Sequence, residues 1–306
     1  MSNSSIWLQF LGILLLIILT LYGIFTFHNE SWDKFLEILY TKKGVFLLVL
    51  GLRILDWILD YGVWRFLLSL YRVSVSILNS ILIYLTQGAG ILLPVQLGRV
   101  VRGYVLSKKL GLPLDLSLIV EGYMLLLVFN GAFFAFFVFL GIYANMRVIV
   151  WMVAFFILSI EWFVLKYGES ILRRWFISIP KIKSGYVTYI ILSLVCGLGW
   201  AINGLIFYYL LQNGKVNLSF AETQLILLGS IFISIISGIP GGIGILEMLL
   251  GVSLHWLDVD TPEIIVVVGA FRLITIGLWI PIGWVALVLL GFKKVYKSLR
   301  DMEESR

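Results

Sequence analysis

Charge is what this sequence is short of. Only 13% of its 306 residues are Asp, Glu, Lys or Arg and 61% are hydrophobic, whereas a soluble globular domain carries roughly 25% charge. The mean hydropathy is +1.04. An ordinary water-soluble enzyme is excluded, because a soluble core of this size cannot hide so many long apolar runs; the solvent has to be lipid. Cysteine is nearly absent too. The single Cys196 permits no intrachain disulfide and no cysteine-based metal site. Two histidines, His28 and His255, stand far apart, so a histidine-rich metal centre is not expected. Walker-type loops, dinucleotide glycine fingerprints, HExxH and GxSxG are all missing, so no catalytic set and no cofactor are expected. The net charge of +6 sits in short stretches between apolar runs and not in a basic domain, which argues against a nucleic-acid partner.

What is present is a series of apolar segments. About 20 helical residues cross a hydrocarbon layer near 30 Å thick, and 6–27, 44–64, 115–142, 148–165, 185–211 and 263–291 fit that length. The first has no basic region before it and no small-residue cleavage site after it, so it reads as a retained helix. Two further stretches, 73–107 and 221–254, are apolar but interrupted, by ILLPVQLGRVVRG around Pro94 and SGIPGGIGILE around Pro240.

Basic residues fix the orientation through their excess on the cytoplasmic side. The stretches 99–109, 166–183 and the tail 293–306 are basic and belong inside; 255–263 contains His255, Asp258, Asp260 and Glu263 with no Lys or Arg and belongs outside. These placements require 73–107 and 221–254 to be re-entrant helical hairpins entering from opposite sides. Such breaks are tolerated only inside protein or beside a water-filled cavity. The expected fold is therefore an all-α polytopic membrane protein in the plasma membrane, a single domain over 1–306 with about six full crossings, two re-entrant hairpins and both termini cytoplasmic. Residues 1–142 and 148–292 repeat one order: helix, helix, broken hairpin, helix. Since the halves begin on opposite sides, the repeat is expected to be inverted, and matched breaks point to a transporter's binding site.

Several residues carry chemistry. Gly241, Gly242 and Gly244 flank Pro240, freeing the backbone and leaving helix-terminal N–H groups able to meet an anion. Glu247 follows in the resumed helix and needs a partner in hydrocarbon; Arg272, alone in an apolar span, is the expected one. The pair is either structural or a polar gate. Arg99 and Arg102 follow Pro94 and Gly98 on one helical face, suited to phosphate by their planar donor forks or acting as positive-inside anchors. Glu121 can close against either. Arg53, Asp56 and Asp60 fall at spacings of three and four, one stripe that must face protein or water; a self-neutralising structural stripe is the first reading, ahead of an ion path.

These motifs bring the chain to a family. It resembles the flippase-like membrane proteins that include the transmembrane region of lysylphosphatidylglycerol synthases. The family pattern Pro-Gly-Gly-x-Gly-x-x-Glu with a later Arg matches Pro240, Gly241, Gly242, Gly244, Glu247 and Arg272. The first-half pattern Pro-x-x-x-Gly-Glu-x-x-Arg matches Pro94, Gly98 and Arg102, but Arg99 stands where Glu is usual. Glu121 matches the acid of the next span, and Gly122 replaces its arginine. The resemblance implies lipid translocation, with Arg99, Arg102 and Arg272 on phosphate and Glu121 and Glu247 neutralising or selecting a cationic portion. Its partner would be a membrane lipid, either a phospholipid or a polyprenyl-phosphate precursor. No soluble domain interrupts the chain, so aminoacyl transfer is not expected. The competing readings are a non-catalytic membrane subunit for a lipid or glycan-lipid biosynthetic enzyme, and a membrane-embedded lipid transferase using Glu247 or Asp56.

Overall fold

The computed structural model describes residues 43–91, 97–144, 148, 185–213, 216–237 and 242–291. The expected crossing at 6–27, all but the first residue of that at 148–165, the tail 293–306, and Pro94, Pro240 and Gly241 lie outside the described residues. Among the described residues every regular element is helical: α1 (Lys43–Leu70), α2 (Ile77–Leu85), a 3-10 turn (Thr86–Gly90), α3 (Leu97–Leu110), α4 (Leu114–Tyr143), α5 (Tyr186–Asn213), α6 (Phe220–Ile236), α7 (Ile245–His255), α8 (Thr261–Arg272), a π turn (Leu273–Gly277) and α9 (Trp279–Leu289).

Among the described residues three stretches are long and apolar enough to cross a membrane: Leu114–Tyr143, Val187–Gln212 and Thr261–Leu289. Helix α1 has 28 residues, about 42 Å, and overruns its expected end at 64 because Val63, Trp64, Leu67 and Leu68 still find a core. The last span is less regular than its composition suggests: α8 and α9 are joined by the π turn, closed by Leu278 N–H donating to the Leu273 carbonyl at 2.9 Å. In the first interrupted stretch the α-helix ends at Leu85, well before Pro94, as the chain tightens through TQGAG. Its two arms, α2 and α3, touch, as do α6 and α7 of the second.

Among the described residues three apolar clusters form, two of them large and the third a small one around Ala132, Ala135 and Leu228. One of the two large cores joins Val49 of α1 with Ile206, Phe207 and Leu211 of α5, Leu227 of α6, Leu250 of α7 and Phe271 of α8. The other joins Trp64 and Leu68 of α1 with Ile83, Leu106, Met124, Leu192 and Trp279. Helices α1 and α5 each contribute to both, so their central turns, with Arg53 to Asp60 and Gly199 to Asn203, lie between the cores. Helices α4 and α5 approach at Gly131, where a Cβ would stand 2.5 Å from the Gly197 nitrogen, the close contact small residues permit between membrane helices.

Helix α6 starts with a capping box. Ser219 Oγ accepts from Glu222 N–H at 3.3 Å and the Glu222 carboxylate accepts from Ser219 N–H at 2.8 Å. Replacing Ser219 with alanine is expected to cost about 1 kcal/mol, read as a lower unfolding midpoint of the purified protein in detergent.

Candidate functional site

A cavity of about 380 Å³ opens between the two cores. Its wall includes Gln87 and Gly98 from the first interrupted stretch and Ser234 and Gly242 from the second, with Arg53, Asp56 and Asp60 on α1 and Arg272 and Thr275 across from them. The helical spacing of the α1 stripe turns all three charges inward.

Arg53 organises the centre. Its Nη1 donates to Asp56 at 2.5 Å and to Asn203 Oδ1 at 3.2 Å, and its Nη2 donates to the Thr275 carbonyl at 2.8 Å. That carbonyl belongs to the π turn, an irregularity of the kind often found at functional sites. The guanidinium also lies 5.4 Å from the Trp57 ring and 6.0 Å from Trp279, within cation–π range. Gly199 makes room for the carboxylate, since a Cβ there would stand 2.9 Å from Asp56 Oδ1. One turn further, Asp60 accepts from Tyr84 O–H at 2.7 Å. Arg53 thus ties together α1, α5 and the π turn, and neutralises the half-buried Asp56.

Arg102 and Glu121 form a second centre behind the wall. Arg102 Nε donates to Glu121 Oε1 at 2.8 Å, its Nη2 donates to Oε2 at 2.5 Å, and its Nη1 donates to Gln87 Oε1 at 2.7 Å. Trp64 Nε1 adds a bond to Glu121 at 2.9 Å. The side chains are 0% and 4% exposed, so the pair is a latch between α3 and α4 and does not line the cavity. Arg99 is also buried.

The second break is built differently. Gly242 and Gly244 have φ of +64° and +83°, left-handed conformations that favour glycine, and α7 starts from them. Glu247 accepts from Gly244 N–H at 2.7 Å, satisfying an orphan donor of the helix start, and from Arg272 Nε at 2.5 Å. Its side chain is 36% exposed. The pairing expected from the sequence is therefore formed, and it positions Arg272, which lines the cavity, while Glu247 itself sits at the edge.

Of the residues singled out in the sequence, Arg53, Asp56, Asp60, Gly98, Gly242 and Arg272 line the cavity, while Arg102 with Glu121 and Glu247 with Gly244 hold the elements around it. Sequence reasoning passed over Gln87, Asn203 and Thr275, polar groups isolated in apolar runs, which was their only signal. Trp57 and Trp279, which carry no mark of a central role in the sequence, pack as a tilted pair with centroids 4.4 Å apart on the cavity wall. Among the described residues no group of three His, Cys, Asp or Glu is arranged to hold a metal ion.

Comparison with curated proteins gives no match. The family model of the lysylphosphatidylglycerol synthase TM region matches residues 7–283. Together with the long apolar helices, that match over nearly the whole chain makes this a membrane protein belonging to the lysylphosphatidylglycerol synthase TM-region family.

Proposed function

We propose that the protein is a lipid translocator, moving an anionic or zwitterionic phospholipid or a lipid-linked precursor between leaflets with the headgroup in the central cavity. Its family is one of membrane proteins in lipid metabolism or transport. The observation that carries the reading is the cavity itself: charged side chains from separate helices converge on one space bordered by both interrupted stretches. Ionisable groups are tolerated in a membrane where they face such a space, and matched broken helices are where transporters bind their cargo.

The contact pattern supports an internal repeat. Exchanging α1 with α5, α2–α3 with α6–α7, and α4 with α8–α9 turns the α3–α4 contact into α7–α8, α4–α6 into α9–α2, and α1–α4 into α5–α8, each of which is made. In this reading the two halves are inverted, the hairpins enter from opposite leaflets of the plasma membrane, and both termini are cytoplasmic. Lacking an ATPase motif, translocation runs downhill, on an ion gradient or with a partner.

The test is a leaflet-accessibility assay in liposomes with fluorescent phosphatidylglycerol, lysylphosphatidylglycerol and a polyprenyl-phosphate lipid. One of these is expected to move, and Glu247→Gln and Arg272→Ala are each expected to slow it about tenfold or more, the scale of one charge-assisted hydrogen bond lost from the barrier. No movement above empty liposomes, with or without a proton gradient, overturns autonomous translocation.

A further inference from the structure

A second cavity, of about 430 Å³, lies between α1 and α5. Its lining is apolar except for Thr188: Ile58, Gly62 and Phe66 on α1 and Ile191 and Leu192 on α5 stand along it. Leu59, Val63 and Val195 line both this groove and the central cavity. The polar space and the apolar one therefore share a wall of three side chains.

We infer that the groove between α1 and α5 holds a hydrocarbon chain of the lipid whose headgroup occupies the central cavity. The inference rests on the translocator reading and adds the path of the tail. A lipid cannot place its headgroup beside Asp56 and Arg53 unless its chains leave through an apolar exit, because each methylene taken from an apolar surface into a polar one is unfavourable. The groove adjoins the headgroup space along the shared wall of Leu59, Val63 and Val195 and offers the apolar surface along which a chain would leave. On α1 it runs from Ile58 to Phe66, a rise of about 12 Å, enough for a large part of one chain. Gly62 keeps it open: a Cβ built there meets nothing within 4 Å, so a larger side chain fills the groove without disturbing the helix.

The experiment uses the purified protein in phosphatidylcholine vesicles doped with phosphatidylglycerol carrying a diazirine midway along one acyl chain. After irradiation the labelled peptides are mapped by mass spectrometry, and translocation is followed in parallel. Labelling is expected to concentrate on 58–66 and 188–195. Gly62→Phe is expected to lower that labelling and to slow translocation about tenfold. Gly51→Phe, on the same helix with open space at its own Cβ and outside the groove, is expected to leave both unchanged. Labelling spread evenly over all apolar faces, or labelling and translocation that ignore Gly62→Phe, overturns the groove. Gly62-dependent labelling in a protein that moves no lipid keeps the groove as a chain-binding site and overturns the translocator reading instead.

Discussion

Glu121→Ala is expected to destabilise the protein by about 3–5 kcal/mol, the cost of breaking a buried ion pair by removing one partner. The size of the effect comes from what is left behind. Arg102 is 0% exposed and would keep a single acceptor, Gln87, for a guanidinium that now reaches Glu121 through two nitrogens. Trp64 would lose its acceptor as well, at about 1–3 kcal/mol for a buried unsatisfied donor. Its ring and that of Tyr84, each 5.1 Å from the guanidinium, hold the charge in place. The pair itself contributes little net attraction once both charges have been desolvated. The double variant Arg102→Met with Glu121→Leu is therefore expected to recover most of the loss, keeping the penalties at Trp64 and at Gln87, whose Oε1 loses its donor. Unfolding of purified variants in rising SDS, followed by tryptophan fluorescence, measures both. A double variant no more stable than Glu121→Ala would mean that attraction between the charges, and not the stranded arginine, carries the energy.

Much of this arrangement was legible because isolated ionisable groups in apolar sequence must find each other. Glu247 and Arg272 were the obvious pair in the second half, and Glu121 had only Arg99 and Arg102 within reach; the structure selects Arg102. The same logic turned Arg53, Asp56 and Asp60 away from lipid, and all three line the cavity. The lengths of α4 and α5 were readable from uninterrupted apolar runs, and they match to within two residues.

The misses share a cause, which is that backbone detail within an apolar run leaves no mark in hydropathy. The last span reads as one helix because LITIG is as apolar as its neighbours, yet its π turn delivers the Thr275 carbonyl to Arg53. The sequence marks the first break by Pro94, which lies outside the described residues, but gives no sign that α2 ends at Leu85 and passes into a 3-10 turn. What matters there is how closely the 3-10 turn approaches α9, and that is decided by glycines distant from each other in sequence.

Those glycines set up the other large effect. At Gly283 a Cβ would collide with the backbone nitrogen of Ala89 and stand 2.6 Å from the Gly88 carbonyl carbon, and at Gly88 a Cβ would collide with the Trp279 carbonyl oxygen. The obstacles are backbone atoms, which cannot rotate away as a flexible side chain can. Gly283→Ala is therefore expected to destabilise by about 3 kcal/mol, the upper part of the usual range for overpacking, even though alanine is intrinsically the better helix former by about 1 kcal/mol. The 3-10 turn has to move away from α9. It carries Gln87, an acceptor for Arg102, and it packs on α3 where a Cβ at Gly98 would stand 2.5 Å from the Gln87 carbonyl oxygen. Faster hydrogen exchange is expected at 86–90 and along α3. Gly51→Ala gives the opposite sign: it lies on α1 with nothing within 4 Å of a Cβ, so only the propensity gain of up to about 1 kcal/mol applies. Gly88→Ala and Gly283→Ala displace the same contact, so their combined cost should fall short of the sum, because neighbouring sites share one relaxation. Equal stabilisation by alanine at 51 and 283 would mean that the turn and α9 stand further apart than this packing requires.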